Sequence, residues 1–501
     1  MFDALALRNR RAVPLAAIPQ EAPPDFRAIV IGAVRAGWRL VALFGTPEPD
    51  GRTLVLAILA HDTQGRLGAV ATHVTDRYDA LTPECPEAHL FECELAEQCG
   101  LRPDGHPGLK PVRRHPPDHA REGPGATPFD REAYPFSAIE GGEVHEVAVG
   151  PVHAGIIEPG HFRFQAHGET VLHLDIMLGY QHRGVERLLE SRPWPAAVLV
   201  AESIAGDTVI GHASAACGAV EAVARCRKTP RAQAIRGIAL ELERLANHIG
   251  DLGAIAGDIA YHPAAAYFGR MRGECLNLLM TISGNRYGRG LIRPGGTLFD
   301  LPPALVKEVQ ERLRILRREL GPVGEQMLRA ASVEARLEGV GVVTQAQCQD
   351  LGLVGVVARA CEVPRDVRHD HPYGLFRFAH IPVATAWAGD VMARVMVRWL
   401  EVRRSLDFVL DQLGTLPRGA TLVECGTPRP GELVVALEEG WRGEIAHILL
   451  TDAHGAIRRH KVVDPSFRNW AALAPAMAGQ QISDFPLCNK SFNLSYAGHD
   501  L

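Results

Sequence analysis

A chain of 501 residues with 47% hydrophobic residues has enough apolar material for a large core, divided over two or three domains. Its 53 Lys and Arg residues stand against 58 Asp and Glu residues, so the formal net charge is −5. Proteins that hold a nucleic acid backbone carry a basic surface instead. We therefore expect no nucleic acid partner.

The first residues, MFDALALRNRRAVPL, do not predict a signal peptide, because arginines interrupt the apolar segment that such a peptide requires. The most apolar long run, 196–224, contains Glu202, Asp207 and Glu221, so it predicts a buried helix rather than a membrane span. The 10 cysteines form no C-x-x-C pair. That spacing predicts scattered reduced thiols in a cytoplasmic protein and none of the usual iron–sulfur or zinc frameworks.

Residues 1–115 have the pattern of a small α/β domain. The runs GWRLVALFG and GRTLVLAILAHD are short, rich in branched residues and bounded by Gly and Asp, which is typical of strands. HLFECELAEQCGL predicts a short helix after them. Residues 116–143 are dense in Pro, Gly and charged residues and predict a linker.

Residues 144–501 predict a helical-bundle domain with small peripheral β-sheets, so the fold class is α+β. Strands are expected near its start and, in ELVVALEEG, EIAHILLTD and AIRRHKVVD, near its end. Apolar residues at three- and four-residue steps predict the helices between them. The predicted helices span 195–227, 231–257, 264–286, 303–330 and 387–414.

The segment GYQHRGVERLLESR brings together His182, Arg183 and Glu186. On one helix Glu186 would share a face with the other two, three and four residues away. One interpretation is an ordinary helix start with charged pairs. The other is a proton relay, because a partly buried glutamate beside a histidine can exchange protons near neutral pH.

Eight motifs occur in one order along the chain. They are GPVHAGIIEPGHFRF, GYQHRGVER, ELERLANH, RPGG, RDVRHDHPYG, GDVMARVMVR, EEGWRGE and PSFRNW. In this order they resemble the large subunit of energy-converting (group 4) [NiFe]-hydrogenase-related complexes and the homologous quinone-site subunit of respiratory complex I. FECELAEQCGLRPDGHPGLKPVRRHP resembles the small complex I subunit that is fused to the large one in several of these enzymes.

The resemblance implies a metal site whose ligands this chain lacks. In the hydrogenases, four thiolates from two C-x-x-C pairs hold nickel. Counted back from His212, the first pair falls on Ala205 and Thr208, and the second falls on Ser495 and Gly498. These residues offer no soft deprotonated ligand. We therefore expect no NiFe cluster and no metal at this site.

Other site residues follow from the same resemblance. Glu186 matches the proton-handling glutamate of the family, with His182 close by, and Arg442 matches the arginine above the metal cavity. Asp366 resembles a charged residue that links the cavity to the membrane arm, as do its neighbours Arg368, Asp370 and His371. For Arg442 and Asp366 the alternative is a buried salt bridge that holds two segments together.

A quinone headgroup is a further expectation from the complex I resemblance. His153 and His161 are the candidates for the histidine that binds it. The tyrosine on the other side of the headgroup corresponds to Gly206, so the usual quinone site is incomplete. No G-x-G-x-x-G after a predicted strand indicates NAD binding by a dinucleotide fold in this chain.

These expectations combine into one function and two alternatives. The chain is expected to be the peripheral large subunit of a membrane-bound oxidoreductase complex, without hydrogenase activity of its own, that couples a redox or protonation change to ion translocation. A small [4Fe-4S] subunit and antiporter-like membrane-arm subunits would be its partners, at the cytoplasmic face of the inner membrane. The alternatives are a quinone-reducing subunit of an NAD(P)H or ferredoxin dehydrogenase and a non-catalytic scaffold.

Overall fold

The computed structural model describes residues 5–114, 134–155 and 157–501, which form a mixed α+β fold as expected. Residues 116–133 of the predicted linker lie outside the described residues, and 134–143 form neither helix nor strand. The strands are β1 Leu5–Leu7, β2 Val13–Pro14, β3 Gln20–Glu21, β4 Arg39–Pro47, β5 Thr53–His61, β6 Arg66–Val74, β7 Arg77–Asp79, β8 Arg102–Asp104, β9 Val144–Val149, β10 His161–His167, β11 Thr170–Met177, β12 Ile292–Arg293, β13 Gly296–Thr297, β14 Glu432–Glu439, β15 Glu444–Thr451 and β16 Ile457–Val463.

The α-helices range from four residues to 29. They are α1 Pro23–Arg35, α2 His89–Cys99, α3 Val185–Ser191, α4 Trp194–Ala201, α5 Val209–Val223, α6 Pro230–Asp258, α7 His262–Ser283, α8 Pro303–Leu328, α9 Ala331–Leu337, α10 Gln345–Asp350, α11 Gly355–Ala360, α12 Val367–Asp370, α13 Val391–Gly414, α14 Pro465–Asn469, α15 Leu473–Met477, α16 Phe485–Phe492 and α17 Tyr496–Asp500.

The first sheet contains β1, β3, β4, β5 and β6. Only β3 pairs in parallel, with β6, and the other pairs are antiparallel. Helix α2 packs against β4, and α1 packs against β6. The strands predicted from GWRLVALFG and GRTLVLAILAHD are confirmed as β4 and β5, and both are buried over almost their whole length. This burial explains why their sequences are continuously apolar rather than alternating.

The sheet near the end of the chain has the order β16-β15-β14-β2 and is antiparallel. Three of its strands were predicted from the sequence. The fourth, β2, comes from the start of the chain and pairs Val13 with Leu433. A strand of two residues is too short to show any periodicity, so no sequence pattern could have predicted this pairing.

Buried ion pairs also join the early and late parts of the chain. The guanidinium of Arg39 on β4 contacts the carboxylate of Glu444 on β15 at 2.7 Å. Nζ of Lys461 on β16 lies 2.6 Å from Oε1 of Glu94 on α2. All four side chains are buried. Charged groups this far from water are stable only when paired, so each region completes the electrostatics of the other.

Helices α6, α7, α8 and α13 pack together as the predicted bundle, and α5 lies between α6 and the sheet of β14 and β15. The predicted bounds of α6, α7, α8 and α13 are confirmed to within four residues. Capping explains two of the starts. Oγ1 of Thr229 accepts the backbone N–H of Ala232 ahead of Pro230, and the carboxylate of Asp390 accepts that of Ala393.

The single helix predicted over 195–227 is wrong, because the chain forms α4, a loop over 202–208, and then α5. The backbone carbonyl of Asp207 accepts hydrogen bonds from Nδ2 of Asn247 at 2.9 Å and from Nε1 of Trp441 at 3.1 Å. Glu202 binds Arg293 through its carboxylate. Side chains from distant parts of the chain thus satisfy the hydrogen-bonding groups of this loop. Gly206, which has low helix propensity, also disfavours a helix here.

Candidate functional site

The two segments predicted to carry the lost metal ligands lie next to each other. Arg183 joins them, because its guanidinium donates to the carbonyls of Ser203 at 2.7 Å and Ile204 at 2.9 Å, and to that of Ala497 at 3.4 Å. Its backbone N–H donates to the carbonyl of Leu501 at 2.7 Å. The loop after α4 and the helix α17 therefore lie side by side.

Thr208 and Arg442 form one wall of this site. Oγ1 of Thr208 lies 3.1 Å from Nε1 of Trp441 and 3.2 Å from Nη1 of Arg442. The guanidinium of Arg442 binds both carboxylate oxygens of Asp207, at 2.6 and 2.8 Å, and donates to the carbonyl of Asn493 at 2.5 Å. Arg442 thus forms a salt bridge, as the alternative interpretation expects, but with a partner, Asp207, whose side chain is partly exposed.

Ser495, Gly498 and Asp464 form the opposite wall. Oγ of Ser495 caps α17 by accepting the backbone N–H of Gly498 at 2.8 Å. A Cβ on residue 498 would lie only 2.6 Å from Cγ of Asp464. The carboxylate of Asp464 therefore stands where a side chain at position 498 would extend. Sequence inspection did not single out this aspartate, although it directly precedes the quoted segment PSFRNW.

The donor atoms at the four predicted metal positions do not fit a NiFe cluster. Ala205 contributes a buried methyl group and Gly498 no side chain, and the hydroxyls of Thr208 and Ser495 are committed to the hydrogen bonds above. Nickel in such a site requires soft thiolate ligands. The chemistry available at these positions is acid–base and electrostatic.

A row of buried histidines leads away from Asp464. Nε2 of His212 lies 2.9 Å from Oδ2 of Asp464, and its Nδ1 lies 3.1 Å from Nε2 of His447. Nδ1 of His447 lies 2.9 Å from Nε2 of His460. The Asp464 carboxylate only accepts, so neutral rings must each carry their proton on Nε2. Among the described residues, Nδ1 of His460 has no hydrogen-bond partner.

The pKa values in this row keep the negative charge on Asp464 and leave the far histidines neutral. Burial alone would raise the pKa of Asp464, but the hydrogen bond from His212 and the charge of Arg442 hold it below its ordinary value. Burial lowers the pKa of His460 to about 4. Burial, together with His460 and His212, also holds the pKa of His447 well below its ordinary value. The last two rings are therefore neutral at pH 7.

The predicted helical face shared by His182, Arg183 and Glu186 is wrong. Helix α3 begins at Val185, because Gly184 has a positive φ of 64° and ends the preceding turn. Nδ1 of His182 lies 2.8 Å from the carbonyl of Asp500 instead.

Glu186 lies in a cluster of cations, and its described hydrogen bonds go to these cations and to the backbone rather than to a histidine. Its carboxylate binds Arg459 at 2.7 Å, Lys461 at 3.0 Å and the backbone N–H of Val462 at 2.9 Å. Burial would raise the pKa of Glu186, but Arg459 and Lys461 hold it well below its ordinary value. The carboxylate therefore stays ionised at neutral pH, which makes it a poor proton acceptor.

Asp366 belongs to a second buried network on the other side of the bundle. Its carboxylate binds Nη2 of Arg368 at 2.6 Å, and Arg368 also binds Glu241 at 2.9 Å. Arg359 binds Glu439 at 2.8 Å. Burial, and then the charge of Asp366, raise the pKa of Glu439 to about 7. Asp366 is thus the buried salt-bridge partner of the alternative interpretation, and Glu439 is the group near neutrality.

Asp370 and His371, a few residues further along the chain, bind different partners. Oδ2 of Asp370 accepts the backbone N–H of Asp366 at 3.0 Å. Nε2 of His371 lies 3.0 Å from Oδ1 of Asp62, which connects this network to the first sheet.

Glu243 is a titratable residue that the sequence did not reveal. Its carboxylate accepts the backbone N–H groups of Ile210 at 2.7 Å and Gly211 at 3.1 Å, at the start of α5. Burial raises the pKa of Glu243 to about 8, so at pH 7 it is mainly protonated. It occurs in the quoted ELERLANH segment, but only its burial distinguishes it from other helix glutamates.

Of the two quinone candidates, His153 lies in the loop between β9 and β10, and His161 is the first residue of β10. Nε2 of His153 lies 2.9 Å from the carbonyl of Gly160, and Nδ1 of His161 lies 3.4 Å from that of Gly150. Glu158 in the same loop accepts the backbone N–H of Tyr496 at 3.1 Å. Both histidines therefore contact their own loop, while the loop itself contacts α17.

Comparison with known proteins gives the family. Residues 258–427 and 419–500 match the family model described as respiratory-chain NADH dehydrogenase, 49 Kd subunit. The chain is 29% identical over 487 residues to formate hydrogenlyase subunit 5 of Escherichia coli (strain K12), covering 93% of this chain and 85% of that protein. It is 31% identical over 353 residues to the carbon monoxide-induced hydrogenase of Rhodospirillum rubrum, covering 70% of this chain and 97% of that protein.

A third relative comes from the respiratory side of the family. NADH-quinone oxidoreductase subunit 4 of Thermus thermophilus is 30% identical over 370 residues, covering 68% of this chain and 90% of that protein. The chain belongs to the superfamily of energy-converting (group 4) [NiFe]-hydrogenase large subunits and complex I 49 Kd subunits. Within the described parts of the chain, no helix is long and apolar enough to cross a membrane.

Proposed function

We propose that this chain is the large peripheral subunit of a membrane-bound complex related to complex I and the energy-converting hydrogenases. It binds no NiFe cluster and couples a redox or protonation change in the altered site to ion translocation. The observation that carries the proposal is the arrangement of Asp464, which lies against Gly498 and ends a row of three histidines. A carboxylate that accepts a hydrogen bond from His212 thus lies where a metal-binding side chain at position 498 would extend.

The proposal includes the partners and the place of the complex. A small [4Fe-4S] subunit supplies or removes electrons, and antiporter-like membrane-arm subunits carry the ion at the cytoplasmic face of the inner membrane. Residues 1–115 act as the part similar to the small complex I subunit, and 144–501 as the large-subunit part. Support comes from relatives that are named as hydrogenase and NADH-quinone oxidoreductase subunits.

The first experiment is metal analysis of the purified complex. We expect iron and sulfide from partner subunits and less than about 0.1 nickel per large subunit, because none of the four positions offers a thiolate. A matched control is the same preparation from cells grown with added nickel. Stoichiometric nickel in either preparation would overturn the proposed loss of the cluster.

The second experiment measures ion movement with the complex in sealed vesicles. In the Asp464→Asn variant the row of histidines ends on an amide that carries no charge, so we expect the rate of ion translocation to fall at least tenfold while the subunits remain assembled. His454→Gln, in an exposed turn, is the control. Unchanged translocation in an assembled Asp464→Asn complex would contradict coupling through this site.

A further inference from the structure

Three potential metal ligands converge on the side of α2, apart from the site described above. His89 and Cys93 are one helical turn apart on α2, and His106 follows β8. One ligand atom of each residue lies within 4.8 Å of those of the other two. Sγ of Cys93 is 4.0 Å from Nε2 of His106, and the two imidazole rings stack with their centroids 4.9 Å apart.

The two imidazoles can bind a metal as they are, whereas the Cys93 thiol must first lose its proton. Burial lowers the pKa of His89 to about 3 and also lowers the pKa of His106, so both rings are neutral at pH 7 and have a lone pair to offer. Burial raises the pKa of the Cys93 thiol to about 12. A buried thiol with this pKa stays protonated until a cation displaces its proton.

We propose that His89, Cys93 and His106 bind one Zn²⁺ ion, with water as the fourth ligand. One thiolate and two imidazoles are borderline-soft ligands, which suit Zn²⁺ better than Mg²⁺ or Ca²⁺. Bonds of about 2.3 Å to sulfur and about 2.0 Å to nitrogen at a tetrahedral angle put these two ligand atoms about 3.5 Å apart. The Cys93 and His106 ligand atoms therefore need to approach by only a fraction of an ångström.

Metal binding has a definite proton balance. The backbone N–H of Gly108 donates to Nδ1 of His106 at 3.2 Å, so in the metal-free protein the ring proton is on Nε2. When Zn²⁺ binds Nε2, this proton moves to Nδ1 and the contact with Gly108 opens. The Cys93 thiol loses its proton as the Zn–S bond forms. One Zn²⁺ ion is taken up and one proton is released to solvent.

An entry path for the ion lies next to the site. Among the described residues, His89 and Lys110 line a cavity of about 280 Å³ together with Tyr134 and Asp175. A cavity of this size holds several water molecules, which can deliver the ion and supply its fourth ligand.

The ion would fix a segment that reaches the altered site. The carboxylate of Glu97 on α2 accepts the backbone N–H groups of Val112 at 2.8 Å and Arg113 at 3.0 Å. Nε of Arg113 donates to the carbonyl of His499 on α17 at 2.8 Å. Zinc between α2 and His106 would close the same loop at its other end and so hold it against α17.

Zinc titration of the full-length chain tests the proposal. After chelator treatment and re-equilibration with Zn²⁺, atomic emission should find one tightly bound zinc per wild-type chain. Cys93→Ser and His106→Gln should weaken binding at least tenfold. Cys99→Ser is the matched control, because Cys99 is on the same helix but its Sγ faces Gly45 on β4. No bound zinc in the wild type, or equal binding by Cys93→Ser, would overturn the site.

Two further measurements keep the test valid if a variant folds poorly. Co²⁺ in place of Zn²⁺ should give a thiolate charge-transfer band in the wild type and in Cys99→Ser, and its absence from the wild type would exclude the thiolate as ligand. Zinc binding in weak buffer should release about one proton per ion. The site is independent of the proposed function, because nickel content reports on residues 205–208 and 495–498 and zinc content on 89–106.

Discussion

Nδ1 of His212 on α5 and Nε2 of His447 on β15 lie 3.1 Å apart, with both side chains fully buried. This hydrogen bond joins α5, which directly follows the predicted ligand positions Ala205 and Thr208, to the sheet near the end of the chain. Asp464 accepts at one end of the row, and His460 continues it at the other. One carboxylate thus sets the proton positions on all three rings.

The first prediction is that His447 and His460 are neutral at pH 7 with their proton on Nε2. Nitrogen NMR of chain labelled with ¹⁵N-histidine distinguishes the two neutral tautomers and the cation. In Asp464→Ala, His212 loses its acceptor, so its resonances should shift most. A His447 resonance with the proton on Nδ1 in the wild type would contradict the assigned direction of the row.

The second prediction concerns acid stability. The pKa of His460 is about 4 in the folded chain, and that of an unfolded histidine is about 6.5. Below pH 6.5 the unfolded chain binds a proton that the folded chain does not, so stability is lost as the pH falls towards 4. His460 should contribute about 2 kcal/mol of lost unfolding free energy at pH 5 relative to pH 8.

Urea unfolding at both pH values measures this contribution. We expect His460→Gln to lose correspondingly less stability between pH 8 and pH 5 than the wild type. His454→Gln, with its side chain in an exposed turn, should behave as the wild type. The same pH dependence in wild type and His460→Gln would show that His460 is protonated in the folded chain.

The third prediction concerns Gly498 and Asp464. The Ala side chain in Gly498→Ala would approach Cγ of Asp464 to 2.6 Å, so we expect it to lower the free energy of unfolding by about 1–3 kcal/mol. In an Asp464→Ala background the same change should lower the free energy of unfolding by at least about 1 kcal/mol less, because the carboxylate that the new methyl group would meet is absent. A double-mutant cycle by urea unfolding measures this coupling, and purely additive effects would contradict the steric explanation.

The fourth prediction concerns Glu243, whose pKa burial raises to about 8. Between pH 6 and pH 8 the folded carboxyl keeps a proton that the unfolded one has lost, so stability falls as the pH rises. Glu243 should account for about 2 kcal/mol of this loss. Glu243→Gln should remove it, and Glu221→Gln should not, since Arg236 and Lys228 hold the pKa of Glu221 at about 2 against the effect of burial.

An infrared measurement checks the same residue directly. The wild type should show the carbonyl stretch of a protonated carboxyl that disappears on titration around pH 8. This band should be absent from Glu243→Gln and present in Glu221→Gln. A wild type without the band at pH 6 would show that Glu243 is ionised.

The fifth prediction tests whether Glu186 transfers protons or only stabilises the fold through its ion pairs. Glu186→Gln leaves Arg459 and Lys461 with one carboxylate fewer in a buried cluster, so we expect a loss of about 3 kcal/mol in unfolding free energy. Glu190→Gln changes the more exposed carboxylate partner of Arg459, which also accepts the backbone N–H of His460, and it should cost less than Glu186→Gln.

Ion translocation gives the second readout for Glu186. Its carboxylate stays ionised at neutral pH, so we expect the pH profile of an assembled Glu186→Gln complex to keep its shape. A profile displaced along the pH axis would restore the proton-handling role that the family resemblance implies.

Periodicity predicted the large elements well. The bundle helices, β4, β5 and the three late strands were all visible as apolar patterns, because each buries one continuous face or strip. The break between α4 and α5 was not visible, because distant side chains of Asn247 and Trp441 stabilise the loop. Local patterns carry no information about partners so far away along the chain.

The candidate site was predicted in outline and missed in detail. Family motifs placed Arg442 and the four positions that lack thiolates, and the structure brings those segments together. His447, His460 and Glu243 escaped notice because isolated titratable residues in strands and helices show no spacing rule. Their importance comes from burial and from partners on other elements, which only the fold provides. His89, Cys93 and His106 were overlooked for a similar reason, since they form no C-x-x-C pair.

The ion pairs Arg39–Glu444 and Lys461–Glu94 have a consequence for how such a chain could be divided. If the chain were cut between 115 and 133, each fragment would expose charges and apolar strands that now cover one another. Two such fragments would depend on each other for these contacts and would have to be made together in equal amounts. Fusion into one polypeptide guarantees that stoichiometry, and it removes the entropic cost of bringing two separate chains together.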